Sequence, residues 1–337
     1  MAVRVRPNNE IVQENIKKWN IPQPEHDYTV VIHCTTYNHG KYIRDALEGF
    51  VKQKCSFSFC AIVIDDFSTD DAPQIIKEYA TQYPDIIKPI LLGENHMQRG
   101  VLRDPYFEKW HQSAKYIAQC EGDDYWIDPY KLEKQVLFLE ENKDYSMCYG
   151  KCLYYYDDKK KISSRLFGGP SQTFEELVKG NTVPTPTVLY RKDSYLLYQT
   201  KIKPFEKEWL MGDYPLWLFF ACEGKIKFLN KSLAVYRILP ESASHTNSEK
   251  KEERFIYSTY EIIKFYTRLY NKECVYDERM LQISLFNHYV RFYKIEEALE
   301  LYKSITNPPL KVRLKWYIIR NRTIYNFLKG RFFISKA

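Results

Sequence analysis

Apolar strand-like segments alternate with helical ones in the first third of the chain. The strand-like segments are short, continuous and rich in β-branched residues, whereas the helical ones repeat apolar residues every three or four positions. In chain order they are a strand at 28–34, a helix at 42–53, a strand at 59–64, a helix ending at 83 and a strand at 86–92. This alternation is typical of a doubly wound, mostly parallel α/β sheet.

Polar residues stand where these strands end. Thr35 and Thr36 follow the first strand, the Asp65–Asp66 pair follows the second, and the Asp123–Asp124 pair follows a later apolar stretch. Ligands of such sheets bind beyond the carboxyl ends of the strands, so we expect these residues to converge on one crevice. Adjacent carboxylates repel, and a hard divalent cation would offset the repulsion. A solvated turn is the alternative for Asp123–Asp124.

The composition excludes several classes of protein. With 45% hydrophobic and 16% aromatic residues in 337, the chain can bury a large core and an appendage. There is neither a secretory signal nor an apolar run of membrane-spanning length, which predicts a cytoplasmic protein. Glycine-rich dinucleotide and P-loop motifs are absent from the sequence. Eight cysteines without paired spacing predict reduced residues, and Cys148 and Cys152 are interpreted as buried hydrophobes rather than metal ligands.

The end of the chain is basic and aromatic. Residues 310–337 hold eight lysines and arginines and no acidic residue, interleaved with leucine, isoleucine, tryptophan, tyrosine and phenylalanine, and Pro308–Pro309 precedes them. This pattern favours a helix lying at an anionic membrane surface, peripheral to the inner face of the cell membrane. Nucleic acid is the rival partner, and a packed helix with a solvated basic face is the simplest alternative.

Three ordered motifs resemble those of the family 2 glycosyltransferases. They are the stretches 30–38, 62–70 and 121–124, and the likeness extends from about Tyr28 to Arg237. The resemblance implies the GT-A fold, a nucleotide-diphospho-sugar donor and inversion at the anomeric carbon. We expect a uridine-linked donor from the habit of the family.

The resemblance assigns residues to the donor and to a metal. Thr35 and Asp66 would contact the nucleotide base, although a helix cap is the alternative for the Asp66 segment. Asp123 would lie near the ribose and Asp124 would bind Mn²⁺ or Mg²⁺ directly. The remaining expected donor-side residues are Tyr37, Asn38 and Arg99, with Arg103 as an alternative to Arg99.

The catalytic base and the acceptor side come from later segments. By resemblance, Asp213 is the base that takes the proton of the acceptor hydroxyl, while a helix cap or dipole partner is the alternative. The segment from Tyr236–Arg237 to Ser244 resembles a flexible loop that closes over the diphosphate, with His245 as a further metal ligand. The residues expected on the acceptor side are Thr185, Thr187 and Trp209.

Together these predictions give a domain organisation, one favoured function and two alternative functions. We expect an extension at 1–27, a GT-A domain at 28–248, a helical appendage at 249–309 that mediates self-association, and a basic tail at 310–337. The favoured function is an inverting glycosyltransferase that acts on a saccharide or lipid-linked acceptor in surface polysaccharide synthesis. The alternatives are an inactive GT-A scaffold at the membrane and a metal-dependent nucleotidyl or phosphoryl transferase.

Overall fold

The computed structural model describes residues 5–239, 248–273, 276–321 and 323–325. The strands are β1 (Tyr28–Thr36), β2 (Phe59–Asp65), β3 (Ile87–Leu91), β4 (Ala114–Gln119), β5 (Tyr125–Trp126), β6 (Tyr145–Tyr156), β7 (Lys161–Phe167), β8 (Leu189–Arg191) and β9 (Lys225–Ile238). The helices are α1 (Asn9–Lys18), α2 (Ile43–Val51), α3 (Ala72–Gln82), α4 (His96–Arg99), α5 (Glu108–Gln112), α6 (Lys131–Glu141), α7 (Phe174–Lys179), α8 (Lys192–Ile202), α9 (Asp213–Glu223), α10 (Glu249–Leu269), α11 (Glu278–Arg291), α12 (Ile295–Tyr302) and α13 (Leu310–Arg320). Short 3-10 helices lie at Asp104–Tyr106, Thr185–Thr187 and Pro204–Glu206.

The chain divides into two compact units. The first comprises Met1–Glu208 and Gly212–Pro240, and the second comprises Trp209–Met211 and Glu241–Ala337. In the described part of the chain no helix has both the length and the apolar character needed to cross a membrane.

A nine-stranded sheet formed by the described residues organises the first unit. Its strand order is β3-β2-β1-β4-β8-β6-β9-β5, and β7 pairs with β6 as a hairpin. β1 runs parallel to both β2 and β4, β8 is antiparallel to its neighbours, and β6 and β9 are again parallel. The predicted mostly parallel α/β sheet is therefore confirmed.

The register of the central strands aligns their polar ends. Thr36 pairs with Asp65 across β1 and β2, so both strands continue into the polar residues that follow their apolar runs. His33 pairs with Gln119 at the end of β4, which places the next residues of the chain beside Thr35 and Thr36. The ends of β1, β2 and β4 thus meet at one edge of the sheet, as expected.

One face of this sheet carries the main hydrophobic core. Val30, Ile32 and Cys34 point into it from β1 and pack with fully buried residues of α2, α3 and α6. Cys148 and Cys152 belong to the same core and are completely buried, which confirms their interpretation as buried hydrophobes. Among the described residues the cysteines are free thiols.

The second unit consists of the helices from α10 onwards. A small core built around Phe286, Val290 and Ala298 joins α11, α12 and α13. Trp209 packs with this unit, since its ring lies 5.3 Å from Phe265 with an edge-to-face geometry. The predicted helical appendage is confirmed as a helical region.

A lysine is buried in the core beneath the edge of the sheet. Lys131, in the first turn of α6, is 0% exposed. Its Nζ lies 4.0 Å from the centroid of the Trp126 ring and donates a hydrogen bond to the Val188 carbonyl oxygen at 3.4 Å. Burial lowers the pKa of Lys131 to about 7, because a single carbonyl and a ring replace the hydration of the ammonium.

We predict that Lys131→Met stabilises the protein, and most strongly at pH 7 and below. Between about pH 7 and the ordinary lysine pKa of 10.5, the unfolded chain binds a proton that the folded protein has lost. The free energy of unfolding of the wild type therefore rises through this range relative to that of the variant. Thermal denaturation of both proteins across this range measures the difference, with the exposed Lys77→Met as the control. A stability difference that is independent of pH would contradict the prediction.

Candidate functional site

The segment after β4 runs alongside the end of β1. Cys120 N–H donates to the His33 carbonyl at 3.1 Å, and Gly122 N–H donates to the Thr35 carbonyl at 2.9 Å, so the ladder continues beyond the strand. Gly122 lies so close to β1 that a Cβ at this position would be 2.7 Å from Thr36 Oγ1. This close approach holds the following carboxylates against the ends of the central strands.

Three carboxylates are gathered in this segment. Oxygens of Glu121, Asp123 and Asp124 all lie within 4.8 Å of one another. Asp124 is buried, and its Oδ1 accepts a hydrogen bond from Arg237 N–H at 2.8 Å. Asp123 Oδ1 is buried without a hydrogen-bond partner among the described residues, and His39 Nδ1 is 4.0 Å away.

Burial and the neighbouring charges raise the pKa values of two carboxyl groups in this cluster. Burial raises the pKa of Asp124 well above its usual range, and the charges of Asp123 and Glu121 raise it further. Loss of hydration and the charges of Asp123 and Asp213 raise the pKa of Glu121 as well. A cation bound here would lower the pKa values of both carboxyl groups, because it favours their charged forms.

The donor set fits a hard divalent cation. The available atoms are carboxylate oxygens, which Mn²⁺ and Mg²⁺ prefer, and the unpaired oxygen of Asp123 is the kind of buried atom that an ion satisfies. Glu121, Asp123 and Asp124 are therefore the residues that could hold a metal. Glu121 was not among the metal ligands expected from the sequence, although it stands in the same motif.

Arg237 braces the acidic segment from β9. Its guanidinium donates to the Asp123 carbonyl oxygen and, at 2.7 Å, to Asp45 Oδ2 of α2. It also lies over the rings of Tyr42, Tyr125 and Tyr155, with centroid distances from 4.7 to 5.4 Å. The expectation that Arg237 begins a flexible loop is wrong, because it is paired in β9 and buried. His245 lies outside the described residues.

Asp65 ties the first two motifs together. Its carboxylate accepts hydrogen bonds from Ser68 N–H at 2.9 Å and from the Ser68 hydroxyl at 2.5 Å, and burial raises the pKa of Asp65. The Ser68 hydroxyl oxygen accepts from Asn38 N–H at 2.8 Å, and Asn38 Oδ1 accepts from Thr69 N–H at 2.9 Å. The Ser68–Thr69 segment therefore links two loops, and Asn38 lies within that link.

Asp66 organises the loop before α4. It is 1% exposed, and its two carboxylate oxygens accept from His96 N–H at 2.9 Å and Met97 N–H at 3.0 Å. Arg103 Nη1 is 3.7 Å from Asp66 Oδ2, whereas Arg99 is exposed and pairs with Glu94. Of the two arginines considered for the phosphates, Arg103 is the one beside Asp66.

Tyr37 and Thr35 lie at the rim of the same edge. Tyr37 is 37% exposed, and its hydroxyl accepts from Gln98 Nε2 at 3.1 Å. Thr35 is partly exposed on the opposite face of β1 from the core residue Cys34. Both side chains are accessible to a ligand bound at this edge.

Asp213 stands at the start of the apolar helix α9. Its Oδ2 accepts from the Thr185 hydroxyl at 3.1 Å, and its Oδ1 accepts from Tyr214 N–H at 2.7 Å. Asp213 is only partly buried, and its charge contributes to the raised pKa of Glu121. The carboxylate thus affects the pKa of Glu121 and also interacts with the first turn of its own helix.

The residues expected on the acceptor side have three different environments. Thr185 contacts Asp213, as described above. Thr187 is fully buried, and its hydroxyl donates to the Pro184 carbonyl at 2.8 Å and accepts from Gly150 N–H at 3.2 Å. The Thr187 hydroxyl is therefore occupied within the protein, and Trp209 packs with the second unit.

Comparison with known families agrees with this architecture. The model of glycosyl transferase family 2 matches residues 31–196, a range that includes most of β1 and all of β2, the acidic segment and β8. Through these residues the chain belongs to glycosyltransferase family 2. The protein Rv1520 of Mycobacterium tuberculosis is 35% identical over 205 residues, which are 60% of this chain and 56% of that protein. The chain therefore matches little more than half the length of this relative.

Solved structures share the fold. TarS of S. aureus, in complex with UDP-GlcNAc, superposes with a TM-score of 0.56 at 19% identity and covers 89% of each chain. The mannosyltransferase PcManGT of Pyrobaculum calidifontis, in complex with GDP-Man and Mn²⁺, gives a TM-score of 0.51 at 12% identity, covering 96% of this chain and 90% of that one. These likenesses, with the mostly parallel α/β sheet, show the GT-A fold.

We predict that Arg237→Lys weakens Mn²⁺ binding about ten-fold, because residues that brace metal ligands commonly have effects of this size. Lysine keeps the charge, but its single ammonium group lacks the planar guanidinium that donates to Asp45 and to the Asp123 carbonyl at the same time. Electron paramagnetic resonance of free Mn²⁺ during a titration measures the affinity.

The matched control is Arg165→Lys, which changes an exposed arginine of β7. Both variants should melt as cooperatively as the wild type by circular dichroism. Unchanged Mn²⁺ affinity in a folded Arg237→Lys protein would show that the brace does not position the carboxylates.

Proposed function

We propose that this protein is a metal-dependent, inverting glycosyltransferase that moves a sugar from a uridine-diphospho-sugar to a saccharide or lipid-linked acceptor. The observation that carries the proposal is the cluster of Glu121, Asp123 and Asp124 held beside the end of β1, with the charge of a candidate base, Asp213, acting on Glu121. Membership of glycosyltransferase family 2 supports the class of reaction. UDP-GlcNAc in TarS and GDP-Man in PcManGT support a nucleotide-sugar donor.

In this proposal the acidic cluster holds Mn²⁺ or Mg²⁺ through Asp124, with Asp123 nearer the ribose and Glu121 as an added ligand. When bound, such an ion would act as a Lewis acid and would offset negative charge on the diphosphate leaving group. Arg237 keeps the segment in place by its bonds to Asp45 and to the Asp123 carbonyl.

The remaining donor contacts come from the ends of β1 and β2. Thr35 and Asp66 form the end of the site that receives the base, and Tyr37 and Asn38 border it. Asp66 contributes in two ways, since its carboxylate also fixes the backbone of His96 and Met97. Arg103 carries positive charge toward the phosphates in preference to Arg99, whose guanidinium is paired with Glu94.

Asp213 acts as the general base. Its carboxylate takes the proton of the acceptor hydroxyl while the acceptor oxygen bonds to the anomeric carbon. The bond from that carbon to the diphosphate oxygen breaks in the same displacement, and the nucleoside diphosphate leaves. No covalent sugar–enzyme intermediate is needed. The Thr185 hydroxyl orients the Asp213 carboxylate through its hydrogen bond to Oδ2.

The test is a panel of nucleotide sugars assayed for binding and for slow release of nucleoside diphosphate, with Mn²⁺ and with chelator. We expect Asp213→Asn to keep donor binding and to lower release by about 10²- to 10⁴-fold, the usual contribution of a general base. The matched control is Asp193→Asn, an aspartate in the first turn of α8 whose side chain is 89% exposed.

Two outcomes would contradict the proposal. If Asp213→Asn released nucleoside diphosphate as fast as the wild type, Asp213 would not be the base. Absence of binding to every donor, with and without metal, would favour the scaffold alternative.

A further inference from the structure

Helix α13 in the second unit has an exposed apolar stripe. Val312 and Ile319 are buried in the small core of this unit, at 4% and 3% exposure. Leu310, Leu314 and Tyr317 are 71%, 55% and 60% exposed. Residues spaced by four and three positions share one face of a helix, so these three side chains form a continuous stripe that is open to solvent.

The stripe is bordered by positive charge. Lys311, Arg313 and Arg320 are exposed on the same helix, and none of the ion pairs among the described residues involves them. Arg313 Nε donates to the Pro308 carbonyl, and the Arg320 guanidinium lies 4.9 Å from the Trp316 ring centroid, so neither charge is neutralised by a carboxylate. Because residues 310–337 contain no aspartate or glutamate, no acidic side chain of that segment can offset these charges.

We propose that this face of α13 docks on an anionic lipid surface. An interfacial helix places apolar side chains at the boundary between headgroups and acyl chains and its cations among the lipid phosphates. Leu310, Leu314 and Tyr317 supply the first component, and Lys311, Arg313 and Arg320 supply the second. The sequence after the described residues continues the same chemistry, with Phe327, Leu328, Phe332 and Phe333 among basic residues.

Other partners fit this surface less well. A nucleic-acid backbone would engage the cations but would leave the three apolar side chains in water. A second copy of the same face would cover those side chains but would bring Arg313 and Arg320 toward their own equivalents, and like charges repel. An anionic membrane uses both components at once.

The inference does not rest on the proposed reaction, and its test needs no turnover. The full chain is sedimented with vesicles of phosphatidylcholine alone and with vesicles that also contain phosphatidylglycerol. We expect binding to the anionic vesicles only, with an affinity that falls as salt is added, because part of the attraction is screened.

Two double variants separate the components of the face. Leu310→Ser with Leu314→Ser removes two of the three apolar side chains of the stripe, and Arg313→Glu with Arg320→Glu reverses two of the three bordering charges. Each is expected to weaken vesicle binding about ten-fold or more, given the known scale of these contributions. The matched controls are Leu269→Ser and Arg254→Glu, which change exposed residues of α10. Circular dichroism establishes that all the variants remain helical.

Several results would overturn the inference. These are equal binding to neutral and anionic vesicles, absence of binding to either, or unchanged binding by both double variants. Loss of a dimer in light scattering by the leucine variant would assign the face to a second copy. Binding of an oligonucleotide in place of vesicles, with the same sensitivity to Arg313 and Arg320, would assign it to nucleic acid.

Discussion

Electrostatic repulsion among Glu121, Asp123 and Asp124 is the constraint on which the rest of the site depends. Their oxygens lie within 4.8 Å of one another, and burial, followed by the charges of the neighbouring carboxylates, raises the pKa values of Glu121 and Asp124. The protein offsets only part of this repulsion. The Arg237 guanidinium donates to the Asp123 carbonyl, and the Arg237 backbone N–H donates to Asp124 Oδ1. Asp123 Oδ1 has no hydrogen-bond partner among the described residues. In the proposed function, a cation bound together with the donor diphosphate would offset the remaining repulsion.

The sheet fixes the position of the acidic cluster. β1 and β4 are parallel neighbours, so the acidic segment continues along the end of β1 and is fixed by the Gly122–Thr35 hydrogen bond. β9 reaches the same edge from the other half of the sheet and brings Arg237 to the acidic pair. Asp213 enters separately at the start of α9, and its link to Thr185 joins it to the short helix before β8. The candidate metal ligands, the arginine that braces them and the candidate base therefore come from different elements of the first unit.

The sequence was informative where a function depends on the end of a strand. Apolar runs that stop at Thr35, at Asp65 or a few residues before Asp123 indicate both the strand and the polar edge, because parallel strands end at a shared edge. It was uninformative where a partner is distant along the chain. The pairing of Arg237 with Asp45 spans 192 residues, and no local pattern distinguishes a strand arginine from a loop arginine. Likewise, burial of Thr187 and packing of Trp209 with α10 depend on tertiary contacts that spacing does not encode.

The central claim is that the acidic cluster and a nucleoside diphosphate bind one cation together. The most direct test is the dissociation constant of UDP, measured by calorimetry with Mn²⁺ and with chelator, for the wild type and for Asp124→Asn. The account predicts that Mn²⁺ tightens UDP binding at least about ten-fold in the wild type and that Asp124→Asn abolishes this coupling while the protein stays folded. Equal UDP affinity with and without Mn²⁺ in the wild type would contradict it.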